Sequence, residues 1–437
     1  MPAVFFFSDT SRFSQPCFTT PNRWSRYPRS VMRTAGSGLT GAAVAALAAT
    51  LAIAAPPVLS APAGDDALAH RLRGLEFGYN LDYPEALAAF QDAMRADPDD
   101  PGAPRLAAVT IWMRLLFKQG SVTVEDYMGQ MRSDVRRPTP DATLAADFRR
   151  HLDLAQSLAE KKLHANPRDP DAQFHYGSAA ATRASYVATI EGRVGQSVSY
   201  ARKAYAAHRR CLTIDAKRAD AGLIVGAYRY TVAGLPLHMR ILARLAGLEG
   251  GRKEGLELVE KAARYPSPAQ ANALFTLILL YSREGRHDDA LKTVRELQAR
   301  FPRNRLLWLE EAGTALRAKR PAEALAALEH GRALLATDAR PRAFGEAARW
   351  KYLRGSTFVA LGQIAEAARE LDAALAQDGP SWVRGRTHLE RGKLADLRGD
   401  RAQALEEYRR ALQICRGQDD DVCADSAKAL SDRPHAR

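Results

Sequence analysis

Between residues 287 and 300, apolar side chains at Ala290, Leu291, Val294 and Leu297 recur at spacings of three and four, with Lys292, Arg295 and Glu296 between them. That is the period of an amphipathic helix with one face to bury. Gly285 supplies a turn before it, and Pro302 prevents its continuation. The preceding stretch ANALFTLILLYS, Ala271 to Ser282, is apolar over a similar length and predicts a second helix. Two short helices joined by a tight turn form an antiparallel hairpin.

The same pattern returns along the chain. Ala324, Leu328 and Gly331 repeat it 34 residues after Ala290, followed by Ala367, Leu371 and Ala374, then by Ala404, Tyr408 and Ala411. Near the front, Ala86, Phe90 and Ala93 precede Pro98. Gly74, Gly355 and Gly392 stand twelve residues before Ala86, Ala367 and Ala404. Weaker copies fill the centre: a second helix from Ala155 to Pro167, Gly177 opening a hairpin that Ala204, His208, Cys211 and Ala216 close, and Gly226 opening the next.

Small, large and small residues at these offsets, with Gly in the first helix and Pro after the second, resemble the tetratricopeptide repeat. A small residue where two helices cross lets the backbones approach, and a larger one fills the space against the next repeat. The resemblance covers most of residues 67–416. It implies an all-α solenoid of antiparallel helix pairs forming a superhelix, in which each repeat buries its apolar face on its neighbours. Composition agrees, with 46% hydrophobic and 26% charged residues and few alternating β-branched runs. The expected organisation is a 1–31 extension, a signal peptide over 32–63, repeats over 64–227, a repeat with a long helical insert over 228–268, further repeats over 269–416, and a capping segment over 417–437.

The front of the chain has a different character. Thr34 to Gly64 contains no charged residue, and Gly41 to Ala55 is an apolar run preceded by Arg33 and followed by Ala61-Pro62-Ala63. A basic flank, a core shorter than the roughly 20 residues needed to span a bilayer, and a small-residue site predict a secretory signal peptide cut after Ala63. An uncleaved, tilted anchor helix is the alternative. No Cys stands at the cut, which disfavours a lipoprotein anchor. Residues 1–31 fit no targeting pattern, so translation is expected to start at Met32. The destination is the periplasm or the medium.

Beyond Ala63 only Cys211, Cys415 and Cys423 remain. An odd number excludes a disulfide framework, so folding must rest on helix packing. In an oxidising compartment Cys415 and Cys423, which flank the polar stretch RGQDDDV, can pair and staple the terminal ADSAKALSD helix over the end of the array; two free buried thiols are the alternative. Their spacing without a nearby His pair is poor for zinc.

The formal charge is +13, of which residues 1–63 hold five Arg and one Asp, leaving about +9 beyond them. The excess is thinly spread, and no basic block or nucleic-acid signature is present. Nor is there a G-x-S-x-G, H-E-x-x-H, Walker or dinucleotide fingerprint. GLEGG, Gly247 to Gly251, fits a turn between helices. His151, His164, His175 and His208 lack ligand spacing. The sequence therefore predicts no enzyme, cofactor or metal, and a scaffold that holds a protein partner in the concave groove.

In tetratricopeptide repeats the first helices line that groove, which the resemblance places at Phe275, Arg349, Tyr352, Arg386 and Lys393. The insert, Tyr228 to Tyr265, bears a faint resemblance to the tetratricopeptide-repeat-39 and inclusion-body-clearance family in its LP, a Gly turn and GLELVEKAA. Within it Leu237, Ile241, Leu245 and Leu248 are read as one face, widened by Met239, Leu242 and Ala246, with Arg240 and Arg244 opposite and His238 nearby. A face this apolar has to be covered. Packing into the solenoid's own groove is the first expectation, and peripheral contact with an envelope membrane the second.

Overall fold

The computed structural model describes residues 63–128, 139–235, 237–245, 250–415 and 419–431. Apart from Ala63, the signal-peptide segment, the cut before Gly64 aside, lies outside them, as do Ala246 and Leu248 of the insert. Among the described residues there is no strand.

Helices α1 (Ala63–Tyr79) and α2 (Tyr83–Ala96) form the first hairpin, followed by α3 (Gly102–Gln119) with α4 (Ala142–Ala165), and α5 (Pro170–Thr189) with α6 (Val194–Ile214). Next come α7 (Gly222–Ala233), the short α8 (Leu237–Leu245) and α9 (Arg252–Arg264). Here α7 packs on α9 as the two halves of one hairpin and barely touches α8. Four more hairpin helices pair as α10 (Gln270–Arg283) with α11 (His287–Arg300), and α12 (Leu306–Arg317) with α13 (Pro321–Thr337). The array continues with α14 (Glu346–Ala360) on α15 (Ile364–Leu375), α16 (Ser381–Leu397) on α17 (Arg401–Cys415), and the end helix α18 (Asp420–Ser431).

The repeated small and large positions are the packing contacts. Ala86, Ala93, Ala290, Val294, Leu297, Ala324, Leu328, Ala367, Leu371, Ala404 and Ala411 are all fully buried. At the helix crossing of the last hairpin, a Cβ on Gly392 would stand 2.3 Å from Cε1 of Tyr408, so only glycine lets these two helices close on the ring. Within the α10–α11 hairpin the chain turns on Gly285, whose φ of 69° is a left-handed conformation that glycine adopts without strain.

At the C-terminal end, α17 leads to α18 through a disulfide between Cys415 and Cys423. The stretch RGQDDDV is not a loop throughout. Asp419 caps α18, its Oδ1 accepting from the backbone N–H of Val422 at 3.2 Å, and the helix starts at Asp420. Aspartate at a helix start satisfies otherwise orphaned N–H groups and suits the helix dipole.

Candidate interaction groove

The inner face of the C-terminal hairpins is lined by α10, α12, α14 and α16, and it is occupied by the chain itself. After α3, Gly120 takes φ 74° and sends residues 120–128, GSVTVEDYM, across these four helices. Thr123 and Asp126 form a reciprocal cap around a single 3-10 turn, Val124–Tyr127. The Oδ2 of Asp126 accepts from the backbone N–H groups of Val122 and Thr123, both at 2.9 Å.

Each first helix then contributes a hold. From α10, Arg283 Nη2 donates to the Tyr127 carbonyl at 2.7 Å. From α12, Glu310 Oε2 accepts from the Val124 N–H at 2.8 Å, while Arg317 pairs with Glu125. From α14, Arg349 Nη2 meets Asp126 Oδ1 at 2.7 Å and also donates to the Gly120 carbonyl. From α16, Trp382 Nε1 donates to the same Oδ1 at 3.0 Å, and Arg386 pairs with Glu125. The guanidinium carbons of Arg349 and Arg386 stand 5.3 and 4.9 Å from the Trp382 ring centroid, within cation–π range.

A second contact lies at the end of α1. Tyr79 stacks on Phe275 with centroids 5.5 Å apart, and its hydroxyl donates to Asn272 Oδ1 at 2.7 Å. Asn304 Nδ2 donates to the Tyr79 carbonyl at 2.7 Å, and Arg340 Nη1 meets Asp82 Oδ1 at 2.7 Å.

The expectation of open groove residues is corrected accordingly. Phe275, Tyr352 and Arg349 are buried: Phe275 under Tyr79, Tyr352 against Trp382, and Arg349 on Asp126. Arg386 is bound on both sides, by Glu125 and by Asp419 Oδ2 at 2.6 Å. Lys393 retains a half-exposed side chain, paired with Glu390 of its own helix at 2.6 Å. The groove was read as open because nothing in the spacing of the repeats shows that an intervening connection returns to fill it. Glu125, Asp126, Glu310, Arg317 and Trp382 were missed for the same reason. One local signal was legible: Thr123 three residues before Asp126 is a capping-box spacing, which marks 123–127 as ordered.

Burial pushes the Glu310 carboxyl up to about 7, and the neighbouring Asp126 charge adds to this. Its Oε1 lies 3.2 Å from Arg317 Nη2, but that guanidinium is shared with Glu125. Among the described residues no group of three or more His, Cys, Asp or Glu side chains is placed to hold a metal ion. His208 is packed beside Gly177, and burial takes its imidazole down to about 4.

The insert also departs from expectation. Instead of packing into the groove, α8 leaves Leu237, Ile241 and Leu245 exposed at 65%, 54% and 81%. Nor are Arg240 and Arg244 opposite the apolar face. They border a cleft together with Leu237 and Ile241, because at 100° per residue positions i+3 and i+7 fall beside position i. The side chains of His238, Met239 and Leu242 lie outside the described residues.

Residues 275–341 and 352–419 match the family model of the tetratricopeptide repeat. Each match spans two hairpins, α10 to α13 and α14 to α17. The chain carries tetratricopeptide repeats. Among solved structures, it is similar to PilW, described as a widely conserved type IV pilus biogenesis factor, at 18% identity over 54% of this chain and 90% of that one, with a TM-score of 0.35. PilF of Pseudomonas aeruginosa gives 17% identity over 60% and 100%, also at 0.35. A thermophilic tetratricopeptide-repeat protein of Thermus thermophilus gives 16% over 57% and 99%, at 0.32. No curated protein matches, and the resemblance of the insert to the tetratricopeptide-repeat-39 family gains no support.

Proposed function

We propose that the protein is an exported, non-catalytic scaffold that receives an extended acidic segment of a protein partner in the track now filled by residues 120–128. The observation that carries this reading is the convergence of one or more side chains from each of four successive first helices on a single short stretch. They hold its main chain and both of its carboxylates. Such a track recognises backbone and negative charge, which is the chemistry of peptide capture. A partner then competes with a segment tethered in place, and binding is governed by how readily that segment leaves.

Export is supported by the Arg33 flank, the apolar run and the Ala61-Pro62-Ala63 site. The disulfide at the end of the array suits an oxidising compartment. N-terminal sequencing of protein from a periplasmic fraction is expected to begin at Gly64; retention in the cytosol with the leader intact would refute export.

The groove is tested with a labelled peptide of sequence GSVTVEDYM and a Glu125→Ala/Asp126→Ala variant that weakens the tethered segment. The peptide is expected to bind this variant more tightly than the native chain, and to lose binding when Arg317→Ala and Arg386→Ala are added. Failure to bind a variant whose helical circular dichroism is intact would defeat the reading.

A further inference from the structure

Between α3, α5, α6, α7 and α10 lies a cavity of about 40 Å³ whose polar lining consists of Arg105, Ser178, Thr182, His208, Asp220 and Asn272. Four of these side chains are already engaged. His208 Nδ1 is bonded to the Ala204 carbonyl at 2.8 Å and so carries the ring proton, which leaves Nε2 to accept from Ser178 Oγ at 3.3 Å. Thr182 Oγ1 donates to the Ser178 carbonyl at 2.9 Å. Both oxygens of Asp220 are held by Arg218, each at 3.1 Å. What remains are donors. The half-buried Arg105 forms no hydrogen bond or ion pair among the described residues, and its Nε is shut off from solvent without a partner. The Asp100 carboxylate in its neighbourhood is turned to Arg71 at 3.1 Å and to the backbone N–H groups of Gly102 and Ala103 at 2.9 and 3.2 Å. Asn272 Oδ1 accepts from the Tyr79 hydroxyl at 2.7 Å, which fixes the amide and leaves Nδ2 with no acceptor among the described residues.

We propose that this cavity is a binding site for a small monovalent anion of the size of chloride, held by the Arg105 guanidinium and by Asn272 Nδ2. A donor withdrawn from water without an acceptor costs free energy, and a cation without a counter-charge costs more. A water molecule would accept from both groups and leave the guanidinium charge unanswered, whereas an anion meets the donors and the charge together. The volume is that of a few water-sized bodies, which favours an ion of one atom over a tetrahedral oxyanion. The wall that carries Arg105 also presents the Asp220 carboxylate, so a second negative charge on the occupant would be repelled. Burial pulls the Arg105 guanidinium down to about 10, the direction of a cation that has lost water without gaining a counterion. Bound there, the ion ties α3 of the second hairpin to α10 of the fifth, independently of the track filled by residues 120–128.

The test is thermal melting of the protein while sodium gluconate is exchanged for sodium chloride at constant ionic strength, which holds general screening fixed. Chloride is expected to raise the melting temperature saturably, by about 1–3 °C, and the chloride-35 resonance to be broadened by the protein. Asn272→Asp puts a carboxylate where the ion is assigned and keeps an acceptor for the Tyr79 hydroxyl. This variant should melt like the native chain in saturating chloride and show neither the chloride dependence nor the broadening. Arg105→Gln should lose both as well, whatever its own melting temperature. Equal melting of the native chain in the two salts, or a chloride dependence that persists in both variants, would overturn the proposal and leave the cavity to water. Saturation by sodium formate at concentrations well below those of chloride would overturn it in favour of a carboxylate-bearing ligand.

Discussion

Arg349 and Asp126, 223 positions apart in the chain, form a buried ion pair of 2.7 Å in which both side chains are at most 5% exposed. It joins the connection after α3 to the first helix of the seventh hairpin.

Removing one partner leaves the other charge buried and unpaired, which typically costs 3–5 kcal/mol. Arg349→Ala is therefore expected to lower the denaturant midpoint markedly, and more than Lys393→Ala, whose half-exposed pair with Glu390 is worth about 1 kcal/mol or less. Urea unfolding followed by circular dichroism measures both. Equal midpoints for the two variants would show that the buried pair does not secure the groove.

The Glu310 carboxyl gives the groove a pH response. Its proton is held more tightly in the folded chain, where it leaves at about pH 7, than at its ordinary value of 4.5. Between those values the native state binds more protons than the unfolded state, so this residue's contribution to stability is full below about pH 4.5 and is lost as pH rises through 7. Glu310→Gln keeps an acceptor for the Val124 N–H and removes the titration. The loss of melting temperature between pH 5 and 8 should be smaller in the variant than in the native chain. Parallel profiles would show that Glu310 stays ionised throughout.

The helix crossings make a sharper test of packing. Gly392→Val would drive side-chain atoms into Tyr408, and overpacking of this kind costs about 1–3 kcal/mol or more. Gly195, in the first turn of α6, meets nothing within 4 Å of a Cβ built on it. Gly195→Ala should be neutral or stabilising by up to about 1 kcal/mol. Thermal melts of the pair are expected to move apart. If both variants lose stability alike, the Gly392 contact is not what sets the cost.

The cysteines divide by environment. In the chain beyond Ala63, denatured without reductant, one thiol is expected, that of Cys211. In the folded protein it should react slowly with a disulfide reagent, since it is buried and its pKa is pushed up to about 11. Reduction of the Cys415–Cys423 bond, which closes a short loop, should destabilise the α18 end by about 2–3 kcal/mol. A count of three thiols before reduction would contradict the pairing.

How much of this was legible in the sequence follows from the range of the forces involved. Ala86–Phe90–Ala93 and Ala404–Tyr408–Ala411 are local: the helical period fixes their faces, and the small residues fix the crossings, so the all-α repeat architecture can be read off. The state of the groove depends on pairs such as Arg349–Asp126 and Glu310–Val124, which no periodicity connects. The insert was misread at Arg240 and Arg244 for a geometric reason. Their charge suggested the opposite face, whereas helical rotation sets them beside Leu237.

A solenoid with only neighbour contacts can assemble hairpin by hairpin as it leaves the ribosome, because every closure is local. The residue 120–128 connection removes that freedom from this chain. At a synthesis rate of about 5–20 residues per second, roughly 10–45 seconds separate the emergence of Asp126 from that of Arg349. Until α10 and α12 emerge with Arg283, Glu310 and Arg317 the acidic turn has no counterpart in the groove, and for the rest of that interval Asp126 still lacks its partner Arg349. Completion of the fold is thereby coupled to completion of the chain, and a product truncated before α14 would lack the closure and present the turn to proteases.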